Sequence, residues 1–184
     1  MGTSAGALAA LALAAERPGM ARSLVLAGPP VHRWAKDDPD GEALYGEFMA
    51  SVWGPAAAAF KAGDDFGAMR VLADGFGGAG RVDRLPPGAR AVAMQDSRFF
   101  KAAAAAADPF PAVSKGKVRR LGVPVLTATG EKAIRPHKFV NGELARLLPK
   151  AGRVTIPGAG HGSARGNPQA FSGAVSKFLE SHSR

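Results

Sequence analysis

Two short motifs at opposite ends of the chain carry residues that can do nucleophilic and acid–base chemistry. Gly2, Ser4 and Gly6 form the pattern G-x-S-x-G at the start of the 184-residue chain. Glycines in this pattern permit a sharp turn that presents a serine hydroxyl ahead of a helix. His161 lies in a glycine-rich loop, and histidine can take and return a proton near neutral pH. The sequence by itself therefore offers a serine in a turn of the nucleophile type and a histidine in a glycine-rich loop.

The elements that must position these two residues can be read from the apolar pattern. An alanine- and leucine-rich run over 7–15 predicts a helix directly after Ser4, ended by the Pro-Gly pair that follows. The continuous apolar run 23–27 is typical of a strand buried on both faces of a parallel sheet. Later in the chain we predict strands at 121–130 and 153–156, followed by helices at 136–148 and 168–179. Alternation of buried strands with helices predicts an α/β fold.

The middle of the chain differs from both ends. Helical patches separated by glycine and proline extend from residue 34 to residue 116, and no strand-like alternation stands out there. We interpret this stretch as an inserted helical lid. The predicted organisation is a core segment 1–33 with the serine turn and first buried strand, a lid or cap 34–116, and a second core segment 117–184.

Composition excludes several classes of function. The chain has no cysteine, which rules out disulfides, zinc–thiolate sites and thiol chemistry and fits a cytoplasmic location. The apolar start has no preceding basic residue and is too short to span a bilayer, so it resembles a buried helix rather than a signal peptide. We expect no cofactor, no metal ion and no membrane partner.

The net charge of +9 raises the question of nucleic-acid binding. Most basic residues are scattered, and the one cluster, at 115–120, directly precedes a predicted strand. Aromatic residues make up only 7% of the chain, which does not favour a stacking platform for single strands. We therefore predict a solvated basic face and no specific nucleic-acid partner. The sequence does not define an oligomeric state.

In order and spacing, these motifs resemble the α/β-hydrolase family. G-T-S-A-G at 2–6 resembles its nucleophile elbow, V-P-V-L at 123–126 its penultimate strand, and I-P-G-A-G-H at 156–161 its last strand and histidine loop. The resemblance implies the C-terminal part of an α/β-hydrolase fold, with about three parallel strands flanked by helices and an inserted helical lid. It implies Ser4 as nucleophile, His161 as base and the backbone N–H of Ala5 as one oxyanion donor.

The resemblance also indicates where a triad acid would lie. Family members usually carry Gly-x-x-Asp after the penultimate strand, where this chain has G-E-K-A at 130–133; some place the acid after the preceding strand, where this chain has G-P-P at 28–30. Glu131 is the carboxylate nearest to the expected place, and Asp37 and Asp38 are the alternatives. An acid matters because it fixes the tautomer of the catalytic histidine.

The expected activity is hydrolysis of an ester or related acyl bond of a small apolar molecule. The alternative is a catalytically inactive or truncated remnant that acts as a non-enzymatic binding protein. In the family, strands, helices and an oxyanion loop precede the elbow, whereas this sequence starts at the elbow. We therefore expect the C-terminal part of a longer enzyme, with strand 23–27 at an edge of the sheet; the upstream reading frame tests this.

Overall fold

Four parallel strands form the sheet at the centre of the computed structural model, which describes residues 1–182. Their order across the sheet follows the chain: β1 (Gly2–Thr3), β2 (Leu24–Ala27), β3 (Val125–Gly130) and β4 (Gly152–Ile156). The α/β architecture is confirmed. The expected number of about three strands was too low because β1, with only two residues, is too short to produce a hydrophobic period. Since β1 pairs with Leu26 and Ala27, β2 lies inside the sheet and not at its edge.

Helices account for most of the remaining chain between residues 1 and 182. The α-helices are α1 (Ala5–Glu16), α2 (Pro39–Phe48), α3 (Gly54–Lys61), α4 (Asp65–Gly77), α5 (Pro87–Gln95), α6 (Ser97–Ala105), α7 (Lys115–Arg119), α8 (Arg135–Leu147), α9 (Ser163–Gly166) and α10 (Pro168–Ser181). A 3-10 helix spans His32–Asp37 and a π-helical turn spans Met49–Trp53. None of these helices is long and apolar enough to cross a membrane.

Burial of β2 on both faces explains its uninterrupted apolar sequence. Leu24 and Leu26 pack into a cluster with α1 and α8. Val25 packs against Phe178, while Ala27 belongs to a cluster that contains Phe171, and both phenylalanines lie on α10. Because neighbouring strand residues point to opposite faces, each face needs its own apolar residues. Helices on both faces of the parallel sheet therefore hold the strand ends in fixed positions.

Helices α2 to α6 occupy the stretch that the sequence marked as helical. Their own hydrophobic cluster is built on α2, α3, α4 and the π-helical turn, and includes Phe48, Trp53, Phe60 and Leu72. Helices α5 and α6 contribute no fully buried residue to it. Tyr45 packs both against this cluster and against the cluster that contains residues of α1 and α8, so the helical segment joins the layers around the sheet there.

The basic stretch before β3 forms the short helix α7. Lys115 lies 2.7 Å from a carboxylate oxygen of Asp37, and Lys117 forms an ion pair with Glu16 at the end of α1. These contacts tie α7 to the helices around the sheet. Two of the lysines that produced the basic cluster in the sequence therefore have carboxylate partners within the chain.

Candidate active site

The turn at Ser4 has the strained backbone that its glycine pattern predicts. Ser4 connects β1 to α1 with φ 50° and ψ −123°, and it is the only non-glycine residue with positive φ in the described chain. Such a conformation costs about 1–3 kcal/mol and is found where a side chain must be held in a special direction. The Ser4 N–H donates to the Ala27 carbonyl at 2.8 Å, which joins the turn to β2. A Cβ on Gly2 would overlap the backbone of Gly6 and Ala7, so the turn requires a glycine there.

His161 reaches Ser4 from a loop that follows β4. The Lys132 N–H donates to the Ala159 carbonyl at 2.8 Å, and a Cβ on Gly130 would overlap the carbonyls of the same loop. The backbones after β3 and β4 are thus in close contact. His161 Nε2 lies 2.9 Å from Ser4 Oγ, which is hydrogen-bond distance. The structure brings together the two residues that the sequence offered as nucleophile and base.

The electrostatic environment keeps the base unprotonated. Burial lowers the pKa of His161 from 6.5 to about 4, because desolvation penalises the charged ring. At neutral pH the ring is therefore neutral and one nitrogen is free to accept the proton of the Ser4 hydroxyl. The same burial makes it unfavourable for the His161 ring to carry a positive charge.

The Nδ1 side of His161 faces a glycine. A Cβ added to Gly28, at the end of β2, would lie 3.3 Å from Nδ1. Glu131 does not bond to this nitrogen: its carboxylate is exposed and accepts a hydrogen bond of 2.7 Å from the Gly158 N–H. The position of Glu131 after β3 is as expected, but its side chain is directed to the backbone of the histidine loop.

The two alternative carboxylates are also engaged elsewhere. Asp37 pairs with Lys115 at 2.7 Å. Asp38 caps α2, where its Oδ1 accepts from the N–H groups of Asp40 at 3.0 Å and Gly41 at 3.1 Å. The structure thus brings none of the three candidate acids into a hydrogen bond with His161.

Ala5 is the first residue of α1 and directly follows Ser4. The first N–H groups of an α-helix have no partner within the helix, and the helix dipole adds partial positive charge there. Both features favour an oxygen that gains negative charge next to Ser4 Oγ. Ala5 also lines the cavity described next, which is consistent with the role expected for its N–H.

A cavity of about 390 Å³ opens beside Ser4 and His161. Its wall is formed largely by α1 and by the segment 34–116, including the loop that follows α6. Asp108 is the only acidic side chain among its lining residues, which include no lysine or arginine; it pairs with Arg33 at 3.5 Å and accepts from the Phe110 N–H at 3.1 Å. The aromatic residues of the wall are Phe48, Trp53, Phe76, Phe99, Phe100 and Phe110.

Sequence reasoning missed two residues of this site, His32 and His137. Neither was among the candidate residues of the sequence, yet both are almost fully buried and line the cavity next to His161. A signal was available: each follows the carboxyl end of a parallel strand, and those ends converge at one edge of the sheet, where ligands bind. No group of His, Cys, Asp and Glu side chains among residues 1–182 is arranged to hold a metal ion, these histidines included.

Comparison with known proteins gives matches at the level of structure only. No protein-family model and no curated protein sequence matches the chain. Solved structures similar to it include MenH from S. aureus (14% identity, TM-score 0.71) and the enol-lactonase from Burkholderia xenovorans (20%, 0.71). A third is the esterase RhEst1 from Rhodococcus sp. (19%, 0.59).

These alignments cover 100%, 97% and 98% of this chain, respectively. The chain in turn spans 68%, 64% and 64% of the three proteins, about two thirds of their length. These similarities show that the chain has the C-terminal part of the α/β-hydrolase fold, as the motifs indicated.

Proposed function

We propose that the chain is a serine hydrolase that cleaves an ester or related acyl bond of a small, uncharged, apolar molecule. The observation that carries this proposal is the 2.9 Å contact between Ser4 Oγ and His161 Nε2 at the wall of an apolar cavity. Two proteins with a similar structure are named as an esterase and an enol-lactonase, which supports a proposal of acyl-bond hydrolysis on this fold.

The proposed reaction proceeds through a covalent acyl-enzyme. Ser4 Oγ attacks the substrate carbonyl carbon while His161 takes the hydroxyl proton. The Ala5 N–H stabilises the oxyanion of the tetrahedral intermediate, and His161 then protonates the leaving alcohol. Water, deprotonated by His161, attacks the acyl group and releases the acid and Ser4. The segment 34–116 acts as a lid in this scheme, because it forms much of the cavity wall.

For Glu131 we propose a positioning role in the same reaction. Its carboxylate holds the Gly158 N–H and thereby the loop that carries His161. Glu131→Gln keeps an acceptor oxygen and should retain most of kcat, whereas Glu131→Ala should lower kcat with little change in KM. Equal losses in both variants would instead indicate that the negative charge of Glu131 supports His161 as the triad acid.

The alternative function is a binding protein that keeps the fold without turnover. The absence of a hydrogen bond between His161 and any of the candidate acids favours it, since loss of the acid in a complete triad lowers kcat by about 10⁴-fold. Hydrolysis of p-nitrophenyl acetate, butyrate and octanoate separates the two functions.

The proposed function predicts measurable turnover that Ser4→Ala and His161→Ala each lower by about 10²-fold, the margin left to a serine–histidine pair without an acid. Ser172→Ala is the matched control, because Ser172 is an exposed serine on α10 whose hydroxyl bonds only its own helix. Folded protein with no turnover above the Ser4→Ala variant would support the binding protein.

A further inference from the structure

Two imidazole rings lie beside the proposed base and have no part in its proton transfer. The ring centroid of His137 is 4.0 Å from that of His161, and the His32 centroid is 4.9 Å from that of His137. Neighbouring rings meet edge to face, at 72° and 77°. The three imidazoles form a row along the cavity wall that ends at Ser4. We call His32 and His137 the histidine pair.

The histidine pair is buried without hydrogen-bond partners. His32 is 1% exposed and His137 is 2% exposed, and none of their four ring nitrogens has a partner in the described part of the chain. Folded proteins pair the great majority of buried polar atoms, and an unpaired one costs free energy that a ligand can return by bonding to it. Four such atoms on two residues that line the cavity therefore favour a ligand group that is itself polar.

The neighbours of His32 hold its ring in place. Phe48 stacks on it at 4.9 Å between centroids, and Phe110 meets it edge to face at 4.8 Å. His137 is similarly in contact with Phe76, at 5.5 Å. Rings packed in this way cannot turn out to solvent, so their nitrogens stay buried and unpaired inside the molecule.

The chemistry of the histidine pair selects an uncharged group. Burial lowers the pKa of both residues, to about 3 for His32, so both rings are neutral at pH 7. A neutral imidazole offers one N–H donor and one acceptor nitrogen, which suits a hydroxyl or, through the donor alone, a carbonyl. A carboxylate would need a cationic partner, and no lysine or arginine lines the cavity.

We propose that His137 and His32 form a polar subsite that binds an uncharged hydroxyl or carbonyl group of the substrate close to the scissile carbonyl. The inference rests on the proposed function and names its substrate class: esters that carry such a group on the α or β carbon of the acyl part, next to the carbonyl carbon or one position further. The short distance between the polar group and the scissile carbonyl follows from the order of the three imidazoles. His137 is the ring next to His161, and His161 contacts Ser4, which attacks the carbonyl carbon.

Two matched pairs of esters test this subsite. Methyl mandelate differs from methyl phenylacetate by one hydroxyl on the α carbon of the acyl part. Methyl 3-hydroxy-3-phenylpropanoate differs from methyl 3-phenylpropanoate by one hydroxyl on the β carbon. The readout is the ratio of kcat/KM for hydroxylated over unsubstituted ester, measured in wild type and in His137→Phe. Comparing that ratio between the two proteins cancels the intrinsic reactivity of the esters.

We expect the ratio of at least one pair to fall about tenfold in His137→Phe, the effect of one lost hydrogen bond. His32→Phe should lower the same ratio. His182→Phe is the control, because His182 lies outside the cavity and bonds to the Phe178 carbonyl of its own helix. Phenylalanine removes the buried unpaired nitrogens but has a larger ring, and overpacking a buried site costs about 1–3 kcal/mol, so thermal melts of both cavity variants must show that they are folded.

Calorimetric binding to Ser4→Ala protein separates failure of the subsite from failure of the proposed function. If esters are not hydrolysed at all, the proposed function fails, while the subsite still predicts about tenfold tighter binding of a hydroxylated ester and loss of that preference in Ser4→Ala/His137→Phe protein. Ratios and affinities that do not differ between the His137 variant and its parent would overturn the subsite. So would preferential binding of monomethyl phenylmalonate, which carries a carboxylate in place of the hydroxyl.

Discussion

Acidification should destabilise this protein through its buried histidines. The pKa of His32 is about 3 in the folded chain and about 6.5 in the unfolded chain, and burial is the larger cause of the difference. Between these values the unfolded state binds a proton that the folded state excludes. Stability is therefore highest above pH 6.5 and falls as the pH drops toward the folded-state pKa.

The size of the effect follows from the pH interval. Each pH unit below 6.5 costs about 1.4 kcal/mol per histidine until the folded-state pKa is reached, so lowering the pH to 5 costs about 2 kcal/mol for His32. His161, with a pKa of about 4, adds a similar amount in the same interval. A combined loss of about 4 kcal/mol is a large part of the stability of an ordinary domain.

The assay is urea unfolding at pH 7.5 and pH 5.0, followed by the fluorescence of Trp34 and Trp53, both of which are buried. His32→Phe should lose about 2 kcal/mol less than wild type between the two pH values, because carboxylates titrate alike in both proteins and cancel in the comparison.

Equal pH dependence in wild type and in the His32 variant would refute this reasoning. It would show that His32 exchanges protons as easily in the folded chain as in the unfolded one. The burial that supports both the stability argument and the proposed subsite would then be incorrect.

Two further predictions concern His161 and the glycine beside it. The acid limb of the kcat/KM profile should follow the free-enzyme His161 with an apparent pKa of about 4, so activity should be constant from pH 6 to pH 8; a limb centred near 6.5 would show that the ring is solvated. Gly28→Asp and the uncharged, similarly shaped Gly28→Asn carry the same strain at φ 58°, where aspartate and asparagine are less disfavoured than most residues; the aspartate places a carboxylate near Nδ1 and should raise kcat about tenfold or more over the asparagine. Equal kcat in the two variants would contradict the view that His161 lacks an acid.

The order of motifs along the chain was sufficient to predict the fold and the central pair of the site. The run 23–27 is apolar throughout because α1 and α8 cover one face of β2 and α10 covers the other, and such a run is recognisable without a structure. Ser4 and His161 each lie after a strand, and the carboxyl ends of parallel strands share one edge of the sheet. Their contact follows from that geometry.

The direction of a side chain, and the contacts of polar residues that belong to no motif, could not be predicted in the same way. The position of Glu131 placed its backbone near the histidine loop, but only the structure shows that its carboxylate bonds to Gly158. His32 and His137 are separated by about a hundred residues; each follows a strand, but the sequence does not give the order of the strands in the sheet. Their proximity arises because β2 and β3 are neighbours in the sheet. Strand pairing is a property of the tertiary fold and leaves little trace in local sequence.

The central claim is that Ser4 is a nucleophile activated by His161, and covalent labelling tests it most directly. Folded protein is treated with a fluorophosphonate probe, analysed by intact mass and then digested to locate the adduct. The account predicts one adduct per chain, on Ser4, with no labelling of Ser4→Ala and much slower labelling of His161→Ala. Absence of an adduct on folded wild-type protein, or an adduct on a different serine, would contradict it.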